Sequence, residues 1–170
     1  MSQILWGMGL TTITLNLLYL DYILPALGAL LLVLGFRTLR RENAPLAWCY
    51  RLSLAALLLR GTAYVLLSLP VELDKTLAYC TSLVTLALYI CLWWGMVGVS
   101  RSAGAEKPAA PAAGAMAVLY GLLLPLAYIG LEGWLLVVPL LVIYIVLLRN
   151  MAKLSRSLAD TGYVITAAPV

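Results

Sequence analysis

The sequence predicts an all-α fold, a polytopic membrane bundle of six transmembrane helices, and three observations predict it. Apolar residues make up 64% of the 170 and charged residues 11%, against roughly 25% charged residues in a soluble domain, and the mean hydropathy is +1.03. The apolar residues fall into runs long enough to cross a bilayer, joined by short polar turns. Lys and Arg gather at every second turn and acids at the turns between, the pattern that membrane insertion produces. A chain of this composition has too little polar surface to cover a water-soluble fold. One transmembrane helical domain over residues 1–148 is expected, followed by a cytoplasmic C-terminal segment over 149–170.

The run from Ile4 to Leu20 carries only threonines and Asn16 as polar interruptions, and Tyr22 to Phe36 is apolar again. As one helix, Ile4 to Phe36 would be about 50 Å long, well beyond a hydrocarbon core of about 30 Å. A break near Asp21 is therefore required, with Asp21 as N-cap of the second helix and Pro25 in its first turn. The first run has no basic flank, so the alternative count is five crossings with a re-entrant or interfacial first helix. No basic n-region precedes this run and no small-residue cleavage pattern follows it, so it is expected to be retained as an anchor.

Arg37, Arg40, Arg41 and Glu42 form a basic loop, and Pro45 signals the next helix start. A third helix is predicted from Leu46 to Leu69, ended by Pro70, and Glu72, Asp74 and Lys75 make an acidic turn. A fourth runs from Thr76 to Ser100 and is closed by Arg101. The Ala-, Gly- and Pro-rich stretch through Gly114 reads as a linker. Ala115 to Leu131 reads as the fifth helix and Trp134 to Leu148 as the sixth, with a tight hairpin at Gly130, Leu131, Glu132 and Gly133. Arg149 to Asp160 keeps helical periodicity, with Leu148, Met151, Leu154 and Leu158 along one side. It is expected to lie along the inner membrane surface.

This division puts Arg37, Arg40, Arg41, Arg101, Lys107, Arg149, Lys153 and Arg156 on one side, and Lys75 with Asp21, Glu72, Asp74 and Glu132 on the other. It orients the bundle with both termini in the cytoplasm, as a multi-pass protein of the cell (cytoplasmic) membrane. Trp6, Trp48 and Trp134 near helix ends, with Trp93 and Trp94 two turns before Arg101, fit aromatic belts at the interfaces. The net charge of +4 is accounted for by this partition, and no basic face with interleaved aromatics points to nucleic acid.

Arg60 is the leading candidate for a functional group, because a cation deep in a spanning helix costs at least about 2.5–3.5 kcal/mol and calls for a partner or a cavity. Helical rise leaves a vertical gap of about 10 Å between the Cα atoms of Arg60 and Asp21, which the two side chains nearly close. An Arg60–Asp21 ion pair is expected, with Glu72 and Glu132 as alternative acids. In the functional reading Arg60, with Tyr64 one turn on, receives an anionic or polar group in an outward-open cavity. Arg51, nine residues earlier, falls on the opposite helix face. Thr11, Thr12, Thr14 and Asn16 on the first helix and Thr81, Ser82 and Thr85 on the fourth are further candidates to line a path. Gly28, Gly35, Gly95 and Gly98 suit close helix packing, and Pro125 and Pro139 fall inside predicted helices.

The chain has no histidine, which removes His-ligated haem, the usual zinc sites and His relays. Cys49, Cys80 and Cys91 form no C-x-x-C pair and read as small buried hydrophobes. No Walker, G-x-S-x-G or H-E-x-x-H motif is present, so no catalytic residue, metal or cofactor is expected. Two functions fit these features. One is a small-molecule or ion transporter, acting as a homo-oligomer or as the membrane subunit of a larger transporter. The other is a scaffold, sensor or regulatory subunit that engages a protein partner through its cytoplasmic face. The lipid bilayer is the surrounding medium in both.

Overall fold

The computed structural model describes residues 2–12, 20–67, 75–102, 109–129 and 134–160. They form six helices, α1 (Ser2–Thr12), α2 (Leu20–Leu39), α3 (Ala44–Leu67), α4 (Lys75–Ser102), α5 (Ala109–Ile129) and α6 (Trp134–Asp160), and no strand. Each helix packs against its neighbours in the chain, α6 closes against α1, and among the described residues no other pair of helices touches. The six therefore make a closed ring. Neighbours run antiparallel: Gly7 meets Gly28 and Gly35 meets Ile4 between α1 and α2, and Cys49 bonds to Leu88 O while Asn43 bonds to Gly95 O between α3 and α4.

Two boundaries differ from the sequence reading by more than three residues. Helix α5 begins at Ala109, six residues before the expected Ala115, because alanine is the best helix former and a proline at Pro111 is tolerated in a first turn. Arg149 to Asp160 continues α6 as one uninterrupted helix of 27 residues, about 40 Å long. Nothing in residues 140–160 breaks a helix, and Leu147, Met151 and Leu154 are buried against the bundle. That packed stripe keeps the segment on the helix axis. Pro25 falls inside α2, which starts at Leu20, and Pro125 and Pro139 fall inside α5 and α6. The expected first run extends through residues 13–19, outside the described residues.

The glycines act by close approach. A Cβ on Gly7 would stand 2.7 Å from Leu32 N and 2.8 Å from Gly28 O, and one on Gly28 would stand 2.6 Å from Thr11 N and 2.8 Å from Gly7 O. Each glycine thus turns an α-hydrogen toward the other's carbonyl, a reciprocal Cα–H···O contact of the kind that tightens helix pairs. Gly95 and Gly98 make room for Leu46 and Asn43 in the same way.

Asn43 joins two elements. Its Oδ1 accepts from Leu46 N at 3.0 Å and its Nδ2 donates to Gly95 O at 3.0 Å, so it caps α3 and ties that cap to α4. Asn43→Ala should lower stability by about 0.5–2 kcal/mol through the lost cap, and more through the lost tie. Asn43→Ser should recover only the capping part, because its short side chain does not reach Gly95. A Ser variant that melts like the parent would show that the tie to α4 contributes nothing.

The fully buried side chains lie at one level. Ile4, Phe36, Leu46 with Cys49, Leu92 with Met96, Met116, and Leu147 with Met151 come one set from each helix. All are toward the end of the ring that carries Arg37, Arg101 and Arg149. The outer faces of the ring are apolar: Leu58 of α3 is 64% exposed, Val118 of α5 64% and Val138 of α6 66%, with Leu27, Leu30 and Leu34 on α2 also exposed. Trp6, Trp48, Trp93 and Trp94 are exposed on this outer surface. Among the described residues two helices are long and apolar enough to cross a membrane, over Tyr79–Arg101 and Val138–Arg156. Cys49 is buried and Cys91 half-buried, but Cys80, expected in the interior, is exposed. It lies three residues before Leu83, which is also exposed, on the outer face of α4.

Candidate functional site

Above the buried layer the ring encloses a cavity of about 80 Å³ to which all six helices contribute. Helical spacing brings each set to one face: Met8 and Thr11 on α1, Ala29 and Leu32 on α2, Ser53, Ala56 and Arg60 on α3, and Thr85, Leu88 and Tyr89 on α4. Tyr120 of α5 and Tyr144 of α6 complete the wall. On every helix the cavity residues lie next to the buried layer and farther from the basic end, so Ile4, Phe36, Cys49, Leu92, Met116 and Leu147 form a floor beneath it.

The polar chemistry of this cavity is uneven. Thr11 Oγ1 donates to Met8 O at 2.8 Å, Ser53 Oγ to Tyr50 O at 2.8 Å and Thr85 Oγ1 to Thr81 O at 2.8 Å. Tyr144 donates its hydroxyl to Met8 O across the α1–α6 contact. These four hydroxyls send their protons into helix backbones. They present lone pairs to the cavity. Tyr89 and Tyr120 stack with centroids 5.3 Å apart and planes inclined by 29°, an aromatic contact of about 0.5–1.5 kcal/mol beyond its buried area.

Arg60 supplies the charge. It is half-buried in the cavity wall, within electrostatic reach of the Tyr89 and Tyr120 phenols. Glu42 is the one acid whose side chain is described, and it lies beyond the other end of α3. Arg60 has no ion-pair partner among the described residues. Arg51 is exposed, with its guanidinium 4.9 Å from the centre of the Trp48 ring, and takes no part in the cavity. Arg40 similarly lies over Tyr50 at 5.3 Å.

Of the residues singled out in the sequence, Arg60, Thr11 and Thr85 come together here. Asp21 belongs to the first turn of α2 and Tyr64 to α3, but their side chains lie outside the described residues, as do Glu72 and Glu132 altogether. The sequence reading passed over Ser53, Tyr89, Tyr120 and Tyr144. A signal for the tyrosines was present: each sits deep in an apolar helix, and a phenol there needs a polar partner or a wet cavity. Comparison of the chain with protein-family models, with curated proteins and with solved structures finds no match.

Proposed function

We propose that the chain is a multi-pass protein of the cytoplasmic membrane, six times spanning with both termini inside, whose ring binds a small solute on its way across the bilayer. It acts as a small-molecule transporter or as the membrane subunit of a larger one. The observation that carries this reading is the cavity built by all six helices around Arg60, the one charged group among its described residues, with a packed floor beneath it. A helix that served only as an anchor would have no reason to hold a cation at this depth, given its cost of at least about 2.5–3.5 kcal/mol. The apolar outer faces of α2 to α6 support the bilayer setting. The two long apolar helices support it too, and the remaining crossings rest on the charge alternation along the chain.

The floor gives the mechanism its direction. With the cytoplasmic half packed, a solute enters from the outer side, and release inward requires the floor layer to part. A rearrangement of that size in a 170-residue ring favours a homo-oligomer or a partner subunit that drives it. A scaffold or regulatory role is the second reading, and one observation favours it: Arg149, Lys153 and Arg156 are exposed along the cytoplasmic part of α6, where a partner could engage them.

Cysteine accessibility separates the two. In a chain freed of Cys49, Cys80 and Cys91, Thr85→Cys and Ala56→Cys should react with a membrane-impermeant thiol reagent added outside, while Leu92→Cys in the floor should not. If Thr85→Cys and Ala56→Cys are as unreactive as Leu92→Cys from both sides, water does not reach the cavity and the scaffold reading stands in its place.

A further inference from the structure

We infer that the cavity takes a small organic monoanion, a monocarboxylate with a flat apolar body, its carboxylate on Arg60 and its body against the Tyr89–Tyr120 pair; this rests on the solute-binding reading above. Four features of the site select that class.

The first is sign. Arg60 is the one charged residue among the described residues of the cavity wall, and a guanidinium in an apolar surround is stabilised by an anion and repels a cation. Its planar fork of five N–H donors matches a carboxylate in two parallel hydrogen bonds.

The second is valence. Arg51, the next cation along α3, is turned away onto Trp48. A dicarboxylate or a phosphate dianion would carry a second negative charge to a wall with one cation among its described residues. Removing that charge from water without a partner is strongly unfavourable.

The third is the direction of the hydroxyl protons. Thr11, Ser53, Thr85 and Tyr144 donate into backbone carbonyls. They have no proton left for a solute's oxygens, so Arg60 with the Tyr89 and Tyr120 phenols are the donors that remain in the described wall. A carboxylate needs acceptor sites met at one end only, and Arg60 meets them.

The fourth is size and surface. A cavity of about 80 Å³ holds about 5–8 waters at about 10–15 Å³ for each, the room of a short-chain or single-ring carboxylate. Met8, Leu32, Leu88 and the tyrosine rings supply apolar and aromatic walls. They suit a flat hydrocarbon body.

Benzoate is the probe, compared by thermal shift and calorimetry in detergent with benzyl alcohol, benzylamine and phthalate, which keep the ring and change the charge to zero, plus one and minus two. Benzoate should bind at least 10-fold more tightly than each of the others. Arg60→Gln should lose that preference. Ala56→Leu, which keeps the arginine and fills the cavity, should weaken benzoate at least 10-fold, and it protects the test should Arg60→Gln fail to fold. Equal binding of benzoate, benzyl alcohol and benzylamine would overturn the monoanion assignment while leaving a solute site in place. Tighter binding of phthalate would overturn the valence argument alone. If none of the four binds although Thr85→Cys is labelled from outside, the ligand class is wrong and the cavity is real. If none binds and Thr85→Cys is silent, the solute-binding reading itself fails.

Discussion

Gly28→Leu should prevent α1 from seating on α2 and should give a protein that melts far below the parent or does not accumulate in monodisperse form. The obstruction is backbone, which no rotamer change relieves: the first added carbon already meets Thr11 N at 2.6 Å and Gly7 O at 2.8 Å. Overpacking in a well-filled interior costs about 1–3 kcal/mol when side chains yield, so a clash with backbone belongs at the top of that range or above it. Gly7→Leu should act alike, since it meets Leu32 N at 2.7 Å. Gly9→Ala on the same helix is the control, because nothing stands within 4 Å of its added carbon. There the gain in helix propensity, up to about 1 kcal/mol, is expected to show as a neutral or slightly higher melting temperature. The effect reaches the cavity, for α1 carries Met8 and Thr11 and accepts the Tyr144 hydroxyl at Met8 O. Displacing α1 opens the ring at its one non-sequential contact, the α1–α6 seam. If Gly28→Leu and Gly9→Ala melt alike by gel filtration and thermal denaturation, the close approach of α1 and α2 does not hold the ring together.

What the sequence disclosed follows from which signals are local. Helix number and approximate bounds were legible because apolar runs, Pro45 and the charged turns are read along the chain without knowing its neighbours. The start of α5 was missed because composition drew Ala109 to Gly114 into the preceding Gly- and Pro-containing stretch, whereas alanine outside a flexible context is a helix former. The packing role of Gly28, Gly35, Gly95 and Gly98 was legible from residue type, but their partner Gly7 was not, since only the α1–α2 pairing brings it opposite Gly28. Arg60 announced itself by its cost. The tyrosines did not, because Tyr89, Tyr120 and Tyr144 are about 25–30 residues apart in sequence and share a wall only when the ring closes. The tie from Asn43 to Gly95 carries no signal along the chain, because it exists only once α3 and α4 pair.

Arg60→Met should lower stability less than Arg60→Ala, and the difference should depend on Asp21. Methionine fills much of the volume the arginine stem occupied, while alanine leaves a void, and Met→Ala truncations at packed sites cost about 2–5 kcal/mol. If Asp21 is the partner, either variant also leaves an ionised acid without its cation, a loss of about 3–5 kcal/mol for a buried pair. The sign of a double-mutant cycle then decides. Paired groups should give Arg60→Met with Asp21→Asn a melting temperature above that of Arg60→Met alone, and a coupling of about 0.5–3 kcal/mol. Additive effects would mean that Arg60 stands free of Asp21 and that its cost is met by water or by a bound anion. The two outcomes bear differently on the cavity. A carboxylate from solution would have to displace Asp21 from Arg60 in the first case, so Asp21→Asn should tighten benzoate binding and remove a competitor that keeps the empty site neutral. In the second case Asp21→Asn should leave benzoate unchanged, and the vacant site would carry a net positive charge in the bilayer. The first arrangement is the more economical for a carrier, since the guanidinium is compensated whether or not solute is present and the protein need not hold an unpaired charge through each return step.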